Sequence, residues 1–169
     1  MSHDQHGGPL PEERLAHADH TRNAYLIFAL NMALSLVAMY FLMFTMVDIW
    51  GDFYNNLNMA FMALTMLAPM GVMMLALMPG MYTSRRLNLV LYFGFVVVFL
   101  LALTGIRTQT AIGNEQLIAS MIPHHSGAIL MCREATITDA ELSALCDVIE
   151  TSQRKEIEQM KAILVRLQG

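Results

Sequence analysis

Charge is what this sequence has least of. Only 14% of its 169 residues are Asp, Glu, Lys or Arg, against about 25% in a soluble domain. The shortage is concentrated. Three runs, about residues 24–47, 57–82 and 87–106, hold no charged side chain, and each is long enough to cross a hydrocarbon core of about 30 Å as a helix. A net charge of −4 argues against nucleic-acid binding, which needs basic surface. No acid or base lies inside the runs of the kind that marks an ion pathway. The chain also lacks a nucleophile–base pair, a phosphate loop, a dinucleotide fingerprint, a His-Glu-x-x-His or a Cys-x-x-Cys, so no catalytic residue is assigned. It has no tandem repeat or low-complexity segment.

What is present is an all-α pattern. The first run is too long for a signal-peptide core and is followed by "VDIWGDFY", not a small-residue cleavage site, so an uncleaved anchor is expected. Arg14 and Arg22 precede it, and Arg85 and Arg86 sit between the second and third runs. The loop "DIWGDFYNN" has two acids and no Lys or Arg. The positive-inside rule then puts the N-terminus and the Arg85–Arg86 loop in the cytoplasm, with the first loop and the tail outside. Trp50, Phe53 and Tyr54 suit an outer aromatic belt. Three regions are expected: a histidine-bearing cytoplasmic arm, 1–23; a three-helix membrane unit, 24–106; and an external domain, 107–169.

The external domain reads as two helices, about Asn114 to Ala135 and Asp139 to Leu167, joined by "TIT" and therefore antiparallel. Pro123 predicts a kink in the first. Thr138 and Glu141 form a capping-box pattern at the start of the second. At 100° per residue, Met121, His124, His125, Ala128 and Cys132 share one stripe. Cys146, Ile149, Gln153, Glu156, Ile157, Met160 and Leu164 share another. Folding the hairpin about residue 139 sets Cys132 against Cys146, His125 near Gln153, and Met121 near Glu156 and Met160. A hairpin this small buries little apolar area alone. It needs another surface, and a second copy would complete a four-helix bundle with room for a metal site.

His124 and His125 read either as metal ligands or as one hydrogen-bonded and one solvated side chain. Imidazole suits copper, zinc, iron and nickel, and thioether or thiolate shifts preference toward Cu(I). Glu156 is a ligand, a partner that orients a histidine, or a surface acid beside Lys155. Gln153 fits a hydrogen-bond partner better than a ligand. Cys132 and Cys146 have three readings: a disulfide in an oxidising compartment, thiolate ligands, or small buried hydrophobes. Packed helix axes 8–10 Å apart weigh against the disulfide, which needs Cα atoms within about 7 Å. Sixteen methionines are mainly explained as flexible packing. A thioether ladder for Cu(I) is the alternative, along Met32, Met39, Met43 and Met46 in the first run and Met59, Met62, Met66, Met70 and Met73 in the second. His3, His6, His17 and His20 fit a polar tail, or a short metal-binding tract.

"MIPHHSGAILMC", followed by "LCDVIETSQRKEIEQM", resembles the bacterial domain-of-unknown-function family 305. Its hallmark is a Met-Ile-Pro-His-His-x-x-Ala segment, here Met121 to Ala128, then an Ile-x-x-x-Gln-x-x-Glu-Ile-x-x-Met segment, here Ile149 to Met160. "NLNMAFMALTMLAPMGVMMLALMPGMY" is similar to its three-helix members. The resemblance implies a ferritin-like bundle outside the cytoplasm, with copper binding and copper tolerance in some relatives. Carried over by position, it implies Met121, His124, His125, Met131 and Met160 as ligands, with Gln153 and Glu156 beside them. Cys132 and Cys146 replace an alanine common in soluble relatives. The single hairpin, where many soluble relatives have a longer domain, favours pairing of chains.

The expectation is a multi-pass protein of a bacterial plasma membrane that holds copper, Cu(I) foremost and zinc or iron less so, at an external His/Met cluster. It would act as a chaperone, buffer or resistance factor, with lipid around it and a homodimer or higher homo-oligomer as its assembly. The rivals are a di-metal or copper oxidoreductase in an intersubunit bundle, and a structural or partner-binding membrane protein without metal.

Overall fold

A computed structural model describes residues 11–169, with side chains from residue 22 onward. His3, His6 and the side chains of Arg14, His17 and His20 lie outside the described residues. The described part is all-helical: α1 Pro11–Leu42, α2 Leu57–Leu77, α3 Arg85–Thr108, α4 Asn114–Glu134 and α5 Ala140–Gln168. Two short 3-10 turns, Met43–Met46 and Trp50–Asp52, lie between α1 and α2.

Three segments, Arg22–Met46, Leu57–Leu77 and Arg85–Thr108, are long and apolar enough to cross a membrane. The middle one ends at Leu77, short of the expected residue 82, because Pro79 and Gly80 follow within a turn. Ala24, Phe28 and Met32 of α1 pack with Leu67, Leu75 and Tyr82. Glycines let α2 and α3 approach closely: a Cβ on Gly71 would meet the Phe95 ring, and one on Gly105 would lie 3.0 Å from Phe61. At the other end of this bundle the Tyr25 hydroxyl donates to Asn88 Oδ1 at 2.7 Å.

α4 and α5 form the expected antiparallel hairpin, with Ile118, Ile122, Ile129, Ile157 and Leu164 as its core. The start of α5 is capped by Asp139, whose Oδ1 accepts from Leu142 N at 2.8 Å. Thr138 therefore does not cap; the Asp139 carboxylate one residue later fills that role.

The hairpin finds its second surface within its own chain. It docks on the α1–α2 connection, and Tyr54 of that loop packs on the hairpin core. Ser126 Oγ accepts from Asp48 N at 2.8 Å, and Gln116 Oε1 accepts from Leu57 N at 2.9 Å. The absence of a side chain at Gly127 admits the loop, since a Cβ there would lie 3.2 Å from Met46 O. The two loop acids grip the hairpin's bases. Asp48, whose side chain is 2% exposed, pairs with Arg133 and, at 3.5 Å, with Arg154. Asp52 pairs with Lys161 at 2.6 Å. Arg133 is held above the ordinary guanidinium range, first by its hydrogen bond to Glu134 and further by Asp48. Of the expected aromatic belt, Tyr54 turns to the hairpin and Phe53 packs on Phe44, ring centroids 4.3 Å apart; Trp50 stays exposed.

Asn56 ties two helices together. Its Oδ1 accepts from Met59 N at 2.9 Å and caps α2. Its Nδ2 donates to Ala119 O at 3.3 Å, in a buried position. That carbonyl is the one left without a helical partner, because Pro123, four residues on, has no N–H. The helix runs on through Pro123 as a single element.

Asn56→Asp keeps the cap but removes the donor to Ala119. It should destabilise the fold by about 1–3 kcal/mol, the cost of a buried unsatisfied carbonyl. In a Pro123→Ala background, where Ala119 O regains an N–H, the loss should be smaller. Thermal unfolding of the four chains measures this coupling.

Candidate functional site

The adjacent histidines separate as a helix requires, since neighbouring residues point about 100° apart. His125 is turned in toward α5, with its side chain 12% exposed. His124 is exposed, its ring centroid 5.9 Å from that of His125. His125 Nδ1 lies 2.8 Å from Met121 O, and its Nε2 lies 3.0 Å from Glu156 Oε2. The partner expected from register, Gln153, is displaced by Glu156. Side chains on a helix lean toward its N-terminus. In an antiparallel pair, His125 and Glu156 therefore lean toward each other along the axis. Ser152 Oγ donates to Glu156 Oε1 at 2.8 Å and fixes the carboxylate from its own helix.

Both atoms facing the imidazole, a carbonyl and a carboxylate oxygen, are acceptors. A neutral imidazole has one N–H and one lone pair. With Glu156 ionised, a ring that donates to both contacts is the doubly protonated imidazolium. If Nδ1–H donates to Met121 O in a neutral ring, the Nε2 lone pair faces Glu156 and the pair calls for a cation between them. A metal-bound histidine commonly donates its other N–H to a backbone carbonyl in this way.

The remaining expected ligands divide. Met160 is part-buried against the hairpin core, Met121 is half-buried, and Met131 is exposed. Gln153 is half-buried, and its Oε1 has no hydrogen-bond partner among the described residues. Cys132 and Cys146 form a disulfide with Cα atoms 5.3 Å apart, so in this oxidised form neither offers a thiolate. The objection from axis spacing fails because Cα atoms stand about 2.3 Å off each axis. Facing residues on packed helices are closer than the axes by nearly twice that amount. Among the described residues no three His, Cys, Asp or Glu side chains converge as a metal-holding group.

The methionine ladder also divides. Met32, Met39, Met70 and Met74 pack in the α1–α2 core, whereas Met46, Met62, Met66 and Met73 are exposed on the helices. The continuous stripe drawn from spacing is split between two environments, because the packed face of α2 runs through Met70 and Met74 and not through Met73.

Removing the disulfide with a Cys132→Ser/Cys146→Ser chain should lower stability by about 3 kcal/mol, the chain-entropy value for a loop of this size. Denaturant unfolding with and without reductant should show the same loss in the wild type and none in the double variant.

The family model for a domain of unknown function, DUF305, matches residues 101–164, the last turns of α3 and nearly all of the hairpin. The uncharacterized protein L153 of Acanthamoeba polyphaga mimivirus is 34% identical over 116 residues, 68% of this chain and 74% of its own length. An alignment of that length exceeds the tail and takes in part of the apolar helices. No solved structure matches. With the histidine segment and the α5 segment both seated on one hairpin, the chain belongs to the DUF305 family.

Proposed function

We propose that this chain is a membrane-anchored metal-binding protein that holds copper, most readily Cu(I), on the face of its hairpin that carries His125 and Glu156. The observation that carries the reading is the imidazole with an acceptor at each ring nitrogen, one of them a carboxylate. His125 Nε2 and Glu156 would supply the protein's first donors. His124, beside them and exposed, is free to turn toward the same ion, and the thioethers of Met121 and Met160 belong to the same two helices. This donor set, nitrogen and soft sulfur with one carboxylate, suits copper better than calcium or magnesium. A bound ion would be exchangeable, since one chain offers few rigid donors, and that suits a carrier or buffer more than a catalyst.

The proposed location is a plasma membrane, bacterial in the first instance, with the hairpin on the outer side. Two independent features support that side. The loop arginines favour Arg22, Arg85 and Arg86 in the cytoplasm. The Cys132–Cys146 disulfide is the kind of bond that persists in an oxidising compartment. The first loop and the tail, docked on each other, would share that side.

A second reading has an observation of its own. A histidine satisfied at both nitrogens is also what a purely structural ion pair looks like. With Glu156 49% exposed, such a pair contributes about 0.2–1 kcal/mol.

Competition titration of Cu(I) against a chromophoric chelator, with the whole chain in nanodiscs, separates the two. The metal reading expects binding that falls at least tenfold in His125→Ala and in Glu156→Gln. Wild-type binding retained by His125→Ala, with only a small drop in melting temperature, would establish the structural reading and reject copper handling at this site.

A further inference from the structure

Among the described residues, one side-chain amide well inside the apolar spans has a donor that the fold does not satisfy. Asn31 lies in α1, nine residues past Arg22, or about 14 Å along the helix at 1.5 Å per residue. That depth is inside the Arg22–Met46 span. Asn31 is exposed. Its Oδ1 accepts from Ser35 Oγ at 3.2 Å on the same helix, and its Nδ2 has no hydrogen-bond partner among the described residues. Asn58 and Asn88, nearer the ends of their helices, both bond to other elements. Lipid tails cannot bond an amide, so an unmet donor at that depth carries a cost that a neighbouring helix relieves.

The residues around Asn31 say what kind of neighbour fits. Ile27, Asn31, Leu34, Ala38 and Phe41 follow each other at spacings of four, three, four and three. That is the a/d rhythm of a coiled coil, with Ile27, Leu34 and Phe41 at d and Asn31 and Ala38 at a. All five are exposed: Ile27 63%, Leu34 62% and Phe41 55%, with Asn31 and Ala38 in the same class. The helix turns a different face, Ala24, Phe28 and Met32, to the core with α2. Four of the five seam positions are therefore separate from the packing already used, and the fifth, Phe41, also stacks on Phe53, ring centroids 6.3 Å apart. A single Asn at an a position is a device that fixes register and favours two strands.

We propose that this seam pairs with the same seam of a second copy, as a parallel α1–α1 helix pair within the membrane. The occupant follows from symmetry. Two copies insert the same way, so Asn31 of each lies at one depth. A carboxamide is its own complement, each Nδ2 donating to the other's Oδ1. Ala38, one a position further on, lets the two backbones come close. The inference rests on the membrane placement above and is independent of metal binding. It also relocates the pairing expected from the hairpin: the hairpin is seated on its own loop, and the unmet polar group lies in α1.

The test uses the full chain reconstituted at low protein-to-lipid ratio in phosphatidylcholine–phosphatidylglycerol vesicles. The described cysteines are both in the disulfide, so a new cysteine is the one reactive thiol. Leu34→Cys, on the seam, should cross-link into dimers with a short bis-maleimide, and Ala33→Cys, exposed but off the seam, should not. Energy transfer between labelled copies should show association weakened roughly three- to thirtyfold by Asn31→Leu and kept near wild type by Asn31→Gln. Equal cross-linking at the two positions, a monomer throughout, or Asn31→Leu pairing as tightly as wild type would overturn the seam. Failure to float with the vesicles would overturn the membrane placement as well, and flotation is scored separately.

Discussion

The rest of the structure depends on the docking of a helical hairpin onto the fourteen-residue α1–α2 connection, and that docking is built from filled vacancies. Asp48 is buried between two arginines of the hairpin, Arg133 on α4 and Arg154 on α5. One carboxylate therefore bridges both helices. Asp52 repeats the contact further along α5 through Lys161. Between them, Asn56 donates to the carbonyl that Pro123 leaves open. Buried polar groups cost free energy unless matched, so each of these contacts restricts where the hairpin can sit. The apolar contribution of Tyr54 is not directional; the polar ones are.

That seat determines what the His124–His125 pair can do. With Ser126 and Gly127 turned to the loop, the next face of α4 carries His125 toward α5 and leaves His124 outside. Glu156 is held by Ser152 on its own helix and meets the imidazole at the edge of the hairpin, not in its centre. The disulfide closes the hairpin at the turn end. It fixes the register along which His125 and Glu156 lean together, without entering the site as a ligand. The pair is thus an edge contact beside an exposed histidine, open to solvent on the Glu156 side.

The three apolar helices, long enough to cross a membrane, follow a different logic. In a bilayer the driving force is not water exclusion, and close approach depends on small residues and matched polar groups. Gly71 and Gly105 supply the first between α2 and α3. Tyr25 with Asn88 supplies the second between α1 and α3. The spans of α1 and α3 are both less enclosed than α2, and Asn31 of α1 is an amide whose Nδ2 has no acceptor among the described residues.

The helices were legible from sequence because hydrophobic length and period are local properties. Uncharged runs of about twenty residues can only be buried or in lipid, and the 3.6-residue period marks both tail helices to within a residue or two. The facing of Cys132 and Cys146 and the inward turn of His125 were legible for the same reason: a short connection forces antiparallel packing, and stripes must then meet. What only the tertiary structure decided is everything that joins distant segments. Nothing in "VDIWGDFYNN" announces that its two acids will clasp Arg133, Arg154 and Lys161, because exposed acids in a loop carry the same local signal. Nothing near Pro123 names Asn56 as the donor for Ala119, since they lie 63 residues apart. Glu156 replaced Gln153 as the histidine's partner through side-chain lean, an effect of direction that residue spacing alone does not contain. Period and length fix what each helix is; contacts across long separations fix where it sits, because those are chosen by the packing of the whole chain.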